Sequence, residues 1–209
     1  MIQSIAFGSC YVYSPRGTRP TSERSRLLRA RLKAGDVAWL PKYAWRVREQ
    51  AVDQHQFPGL FGPDVVLIPV PGSAPLVKGA LWVPDRLASA LVKEGLGQLA
   101  WRGLQRTSAV RKSATAPAGE RPTVEDHYDS LAVESSLVAP NRIVLVDDVI
   151  TKGRTLLAAA TRVHEAFPDA EVRAFALVRT MGLIPDVAQL LEPCVGEIRW
   201  TGTDSQRDP

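Results

Sequence analysis

The sequence predicts an α/β protein, a parallel sheet flanked by helices. Three observations carry that prediction. Strand-like runs rich in apolar residues recur at Val65 to Val70, Ile143 to Val146 and Val172 to Val178, and Ile143 to Val146 is continuously apolar and mostly β-branched. Such runs are the pattern of strands covered on both faces. Stretches of helical spacing lie between them: Leu87, Ala90 and Leu91 share one face of Pro84 to Glu94, and Leu156, Ala160, Val163 and Phe167 share one face of the segment after Thr155. Strands alternating with helices are what a parallel sheet needs, because each parallel return requires a crossover.

Length and composition bound the rest. The 209 residues suit one sizeable domain, or a core with a small appendage. Hydrophobic residues at 45% and charged residues at 23% match an ordinary globular chain and exclude a disordered or fibrous one. No apolar run approaches the ~20 residues that span a membrane, and Met1 to Phe7 lacks the pattern of a secretory leader. Cys10 and Cys194 are the only cysteines, too few for a zinc cluster. They read as free thiols in a reducing compartment, so we expect the cytoplasm. The formal net charge of +4 is mild, but Arg16, Arg19, Arg24, Arg26, Arg29, Arg31 and Lys33 crowd one region. A solvated helix face explains them. A nucleic-acid contact is the weaker reading, because no basic stripe with interleaved aromatics follows.

Residues 1–62 read as an N-terminal appendage. Ile5 to Tyr13 fits a strand and Ser14 to Gly17 a turn. Ser22 to Lys33 has helical spacing with Leu27, Leu28 and Leu32 as its stripe, and Trp39 to Phe57 fits a second helix. The core is expected over 63–201. Within it, Val65 to Val70 runs into Pro71-Gly72-Ser73-Ala74-Pro75, a loop rich in special backbone positions. Leu96 to Trp101 and Leu131 to Val138 fit strands, Pro185 to Leu191 a short helix, and Glu197 to Thr201 a last strand. Arg106 to Asp129 shows no periodicity, and a long loop of that kind is often a functional lid. Residues 202–209 read as a flexible tail. His127, Tyr128 and Asp129 read as a packing or hydrogen-bonding cluster at the end of the long loop.

One stretch carries chemistry. Ile143 to Val146 delivers Asp147 and Asp148 into Val149-Ile150-Thr151-Lys152-Gly153-Arg154-Thr155, which opens a helix. Adjacent carboxylates are costly to bury unpaired. They are better placed at the carboxyl end of a parallel strand, where open α/β sheets bind ligands. Alone, such a pair reads equally as a turn cap. The following loop, with two hydroxyls, a glycine and two cations at a helix N-terminus, suits a phosphate. Acids beside a phosphate cradle suggest a sugar phosphate. Neither a G-x-G-x-x-G after a strand nor a Walker loop is present.

From Val144 to Thr155 the chain resembles the type I phosphoribosyltransferases, more specifically the orotate phosphoribosyltransferases and, more loosely, the ComF-like proteins, whose N-terminal cysteines it lacks. The resemblance implies the type I fold, a parallel sheet flanked by helices with a small hood. It implies 5-phosphoribosyl 1-pyrophosphate (PRPP) as donor and Mg²⁺ as its escort. Asp147 and Asp148 would hold the ribose hydroxyls, directly or through metal-bound water. Thr151, Lys152, Gly153, Arg154 and Thr155 would cradle the 5-phosphate. Gly72 and Ser73 stand where the family's pyrophosphate loop follows its strand, with Lys78 a further candidate ligand. Arg111 and Lys112, on the long loop, would close over the pyrophosphate.

Such residues suit the implied chemistry, displacement of pyrophosphate from the anomeric carbon by a nucleobase or other nitrogen nucleophile. Carboxylates stabilise positive charge growing on the sugar, and cations stabilise the leaving group. In relatives that handle 6-oxopurines the position of Thr151 is an acid, so the resemblance leaves the acceptor open. We expect a homodimer in nucleotide metabolism. The rival reading is a non-catalytic PRPP- or nucleotide-binding regulatory protein.

Overall fold

The computed structural model describes residues 1–111, 120–134, 139–182 and 184–209. In chain order the elements are β1 (Ser4–Tyr13), α1 (Pro20–Lys33), α2 (Leu40–Arg48), β2 (Val65–Pro69), α3 (Val83–Lys93), β3 (Leu99–Ala100) and β4 (Leu104–Arg106). Then follow α4 (Val124–Asp129), β5 (Leu131–Val133), β6 (Arg142–Ile150), α5 (Arg154–Ala166), β7 (Glu171–Thr180), β8 (Leu191–Trp200) and β9 (Ser205–Asp208). A seven-stranded sheet runs in the order β3-β2-β6-β7-β1-β8-β9, and β4 pairs with β5 in a separate ribbon. The first five strands of that order are parallel, while β8 is antiparallel to both β1 and β9.

The apolar runs become the middle of the sheet because both faces are covered. One face packs Leu67, Val144, Val146 and Leu177 against Leu28 and Leu32 of α1, Val47 of α2, and Leu87 and Leu91 of α3. The other packs Ile68, Leu145, Ala174 and Ala176 against Leu156, Ala159, Ala160 and Val163 of α5. Burying each large side chain contributes roughly 1.5–3 kcal/mol, which sets the registers of these strands. No helix among the described residues is long and apolar enough to cross a membrane.

Several expectations change. Residues 1–62 are not set apart from the core, because β1 lies inside the main sheet between β7 and β8. Its Phe7, Cys10 and Val12 are fully buried. A parallel partner more than 160 residues away leaves no trace in local pattern: Phe7 pairs with Ala174. Nor are residues 202–209 a loose tail, since Ser205–Asp208 pairs with β8. The expected helix over Pro185 to Leu191 is irregular, because Asp186 accepts from the Arg19 amide at 2.8 Å and the Ser22 hydroxyl at 2.9 Å instead. Leu27 is exposed on α1, leaving Leu28 and Leu32 as the stripe. The second helix ends at Arg48 and passes into a π-helical turn, Glu49–Asp53. The Leu131 strand turns aside to pair with β4 and is described only to Val133, the remainder of 134–138 lying partly outside the described residues. The long loop contains α4, begun by a capping box in which Thr123 and Asp126 bond each other's backbone amides.

Candidate functional site

The sheet has a switch point between β2 and β6. Strand β2 proceeds through α3 on one face to β3, whereas β6 proceeds through α5 on the other face to β7. The two connections part there, at the carboxyl ends of the strands, the position at which open α/β sheets bind ligands. The Val70 amide donates to the Val146 carbonyl at 2.9 Å, so the Pro71–Pro75 loop starts directly beside the acids.

Strand β6 continues through Asp147 and Asp148 to Ile150, so the acids stand within the strand near its carboxyl end, not beyond it. Asp147 Oδ1 accepts the Asp148 amide at 2.7 Å. Burial, and then the neighbouring Asp148 carboxylate, push the Asp147 carboxyl up from its ordinary range, while Lys33 pulls it down. Asp148 is only 4% exposed. Its two oxygens receive the Lys33 ammonium, at 2.9 and 2.7 Å.

The loop after β6 is built around Gly153, which caps α5 at φ +85°. A Cβ there would lie 2.8 Å from Ile198. Glycine is thus required twice, for the left-handed backbone and for the close approach. Lys152 and Arg154 do not present free charges. Arg154 grips Asp204 with two bonds of 2.6 and 2.7 Å, and Lys152 reaches the same carboxylate at 3.0 Å. The Arg154 guanidinium beside Asp204 holds that carboxyl well below the usual range. Ser205 Oγ donates to the Lys152 carbonyl at 3.0 Å. The β8–β9 hairpin therefore braces the loop from outside. Thr151 is exposed, its hydroxyl 3.3 Å from that of Thr180.

Thr155 leads to a buried cluster. Its hydroxyl lies 3.3 Å from His127 Nε2. Burial, and then Arg106, push the His127 imidazole down to about 4, so it is neutral near pH 7. Arg106, 4% exposed, donates to the Gly72 carbonyl at 2.9 Å and bonds Ser130. Burial lowers it to about 10, against the pull of the Asp147 charge. One guanidinium thus connects the Gly72 loop to α4. The Ser73 carbonyl accepts from the Val110 amide at 2.7 Å. A Cβ at Gly72 would meet nothing within 4 Å, so its backbone borders open space.

The structure brings together Asp147, Asp148, Gly72, Ser73 and the Thr151–Thr155 loop. Lys78 lies exposed further along the chain beside the exposed Leu76 and Val77. Arg111 is exposed and ion-paired with Glu120. Lys112 lies outside the described residues. Sequence reasoning missed Lys33, Arg106 and Asp204, and it placed His127 only in a packing cluster. Lys33 was hidden among like charges on a helix face, and Asp204 in a segment that looked frayed. Nothing local marked Arg106. Among the described residues, no group of three or more His, Cys, Asp or Glu side chains forms a metal cage.

No protein-family model matches the chain, and neither does any curated protein. Among solved structures it is similar to a hypoxanthine phosphoribosyltransferase from Staphylococcus aureus, at 10% identity over 72% of this chain and 68% of that one, with a TM-score of 0.37. It is similar to the hypoxanthine phosphoribosyltransferase of Trypanosoma cruzi, at 13% identity over 77% and 71% of the two chains and a TM-score of 0.36. It is also similar to the adenine phosphoribosyltransferase of Leishmania tarentolae, at 17% identity over 81% and 83% and a TM-score of 0.31.

Proposed function

We propose that this chain is a phosphoribosyltransferase of the type I kind, which transfers the 5-phosphoribosyl group of PRPP to a nitrogen nucleophile and releases pyrophosphate. The observation that carries the reading is the adjacent acid pair, Asp147 and Asp148, near the carboxyl end of β6 at the sheet's switch point and beside a glycine-capped helix N-terminus. In this reading Asp147 and Asp148 accept hydrogen bonds from the ribose hydroxyls. The first amides of α5, which have no intrahelical partner, and the hydroxyls of Thr151 and Thr155 receive the 5-phosphate. Lys152 and Arg154 act indirectly, by clamping the loop to Asp204. The Gly72–Ser73 backbone, held open by Arg106, receives the pyrophosphate.

Two adjacent hard carboxylates fit Mg²⁺, which is commonly bound by one or two carboxylates with waters and substrate oxygens completing its shell. Asp147 and Asp148 would hold it, and when bound it neutralises charge on the departing pyrophosphate. As carboxylates facing a ribose, the acids also favour positive charge developing at the anomeric carbon. Thr151 is no efficient general base, so the acceptor's proton leaves by another route.

A pyrophosphate-release screen tests the reading, with PRPP and a divalent cation against a panel of nucleobases and small amines. Release that depends on one acceptor class is the expected result. If no acceptor releases pyrophosphate while PRPP still raises the melting temperature, the protein is a PRPP-binding regulator instead. If PRPP raises it not at all at millimolar concentration, both readings fail.

A further inference from the structure

The reading of the acids as a sugar-phosphate site leaves Lys33 unexplained. It is the last residue of α1, and its ammonium touches both carboxylate oxygens of Asp148, at 2.9 and 2.7 Å. A divalent cation that takes those oxygens competes with its like charge. We infer that Lys33 is a tethered cation that holds the empty acid pair and gives way to the divalent cation arriving with the sugar phosphate. The proposal rests on that reading of the site, and it assigns Lys33 the role of setting the cation concentration at which the site loads.

Three features favour displacement over a fixed structural bridge. The partners are unequal in burial: the Asp148 side chain is 6% exposed and that of Lys33 is 48% exposed. The acid cannot turn to water for a counter-ion, whereas the lysine head can. The backbone beneath Lys33 is anchored, because Leu28 and Leu32 are buried on the same helix, so only side-chain rotation is needed. The released ammonium also remains near the carbonyl end of α1, where a positive charge is favoured. Lysine suits such a role, as a compact charge on a flexible stem. Arginine, a rigid fork matched to a carboxylate, would stay bound. Asp147 adds the reason for a stand-in cation: adjacent carboxylates repel when both are charged, and Lys33, seated on Asp148, opposes that repulsion until a divalent cation takes over.

The test is Mn²⁺ binding to the full chain without sugar phosphate, by electron paramagnetic resonance and calorimetry. Lys33→Met should bind Mn²⁺ at least about tenfold more tightly than the parent protein, equivalent to about 1.4 kcal/mol. Lys33→Arg should bind it more weakly than the parent. Melting curves in chelator verify that each variant is folded, and Lys33→Arg keeps the test open should the methionine variant not fold. Equal or weaker Mn²⁺ binding by Lys33→Met, or tighter binding by Lys33→Arg, overturns the proposal. Titration of the parent with PRPP plus Mn²⁺ separates the two levels. If the parent binds PRPP but the Mn²⁺ affinities do not differ, the tethered-cation role alone is lost. If it binds neither, the sugar-phosphate reading is lost with it.

Discussion

At the residue scale, chemistry here depends on how a few charges are partnered. Asp147 and Asp148 were legible as adjacent acids after an apolar strand, but their partners were not. Replacing both with asparagine should abolish pyrophosphate release and the stabilisation by PRPP. A double variant with full turnover would remove the acids from the site. His127 makes a second prediction. Its folded value near 4 lies below the ordinary 6.5, so the unfolded chain binds the proton first as pH falls. The stability it contributes is therefore present above about pH 6.5 and lost as pH falls toward 4. The loss attributable to it is up to roughly 3 kcal/mol. Denaturant titrations of the parent and His127→Asn should show the parent losing more stability across that window. Parallel pH profiles would show that the imidazole is not buried neutral.

At the scale of elements, the 151–155 loop joins a local rule to a distant brace. The glycine before α5 was visible in sequence, and the structure adds Ile198 pressing on it. Gly153→Ala must strain a φ of +85° and crowd Ile198. The combined cost should be about 2–4 kcal/mol of stability, together with weaker PRPP binding. Isothermal denaturation measures the first and calorimetry the second. A stable variant that binds PRPP normally would mean that the loop can re-form without glycine. The capping box of α4 is visible in Thr123 and Asp126, but the apolar pattern around it is too short to show a period, so the stretch reads as a loop. Leu27, by contrast, fitted the α1 stripe in sequence and proved exposed.

At the scale of the whole molecule, the ends of the chain complete the middle. Strand β1 sits between β7 and β8, and β9 lies at the sheet's edge with Asp204 just before it. Arg207 donates to the carbonyls of Ile150 and Thr180, at 3.2 and 2.9 Å, tying the last strand to the ends of β6 and β7. Deleting residues 202–209 removes Asp204 and Arg207 together. It should lower the melting temperature by several degrees and weaken PRPP binding more than Lys78→Ala does. A truncated protein that binds PRPP normally would show that the brace is dispensable.

The sequence by itself determined the class of fold, since buried parallel strands and their crossover helices write their periods locally. It also determined the acid pair and the glycine-opened helix, because these lie within a dozen consecutive residues. Tertiary structure alone decided the placement of β1 and β9, the pairing of Lys33 with Asp148, the burial of Arg106 and the clamp on Asp204. Apart from the local β8–β9 hairpin, each joins residues tens to more than a hundred positions apart. Such pairings are selected by burial and charge compensation in the assembled sheet, and neither quantity exists until the chain has folded.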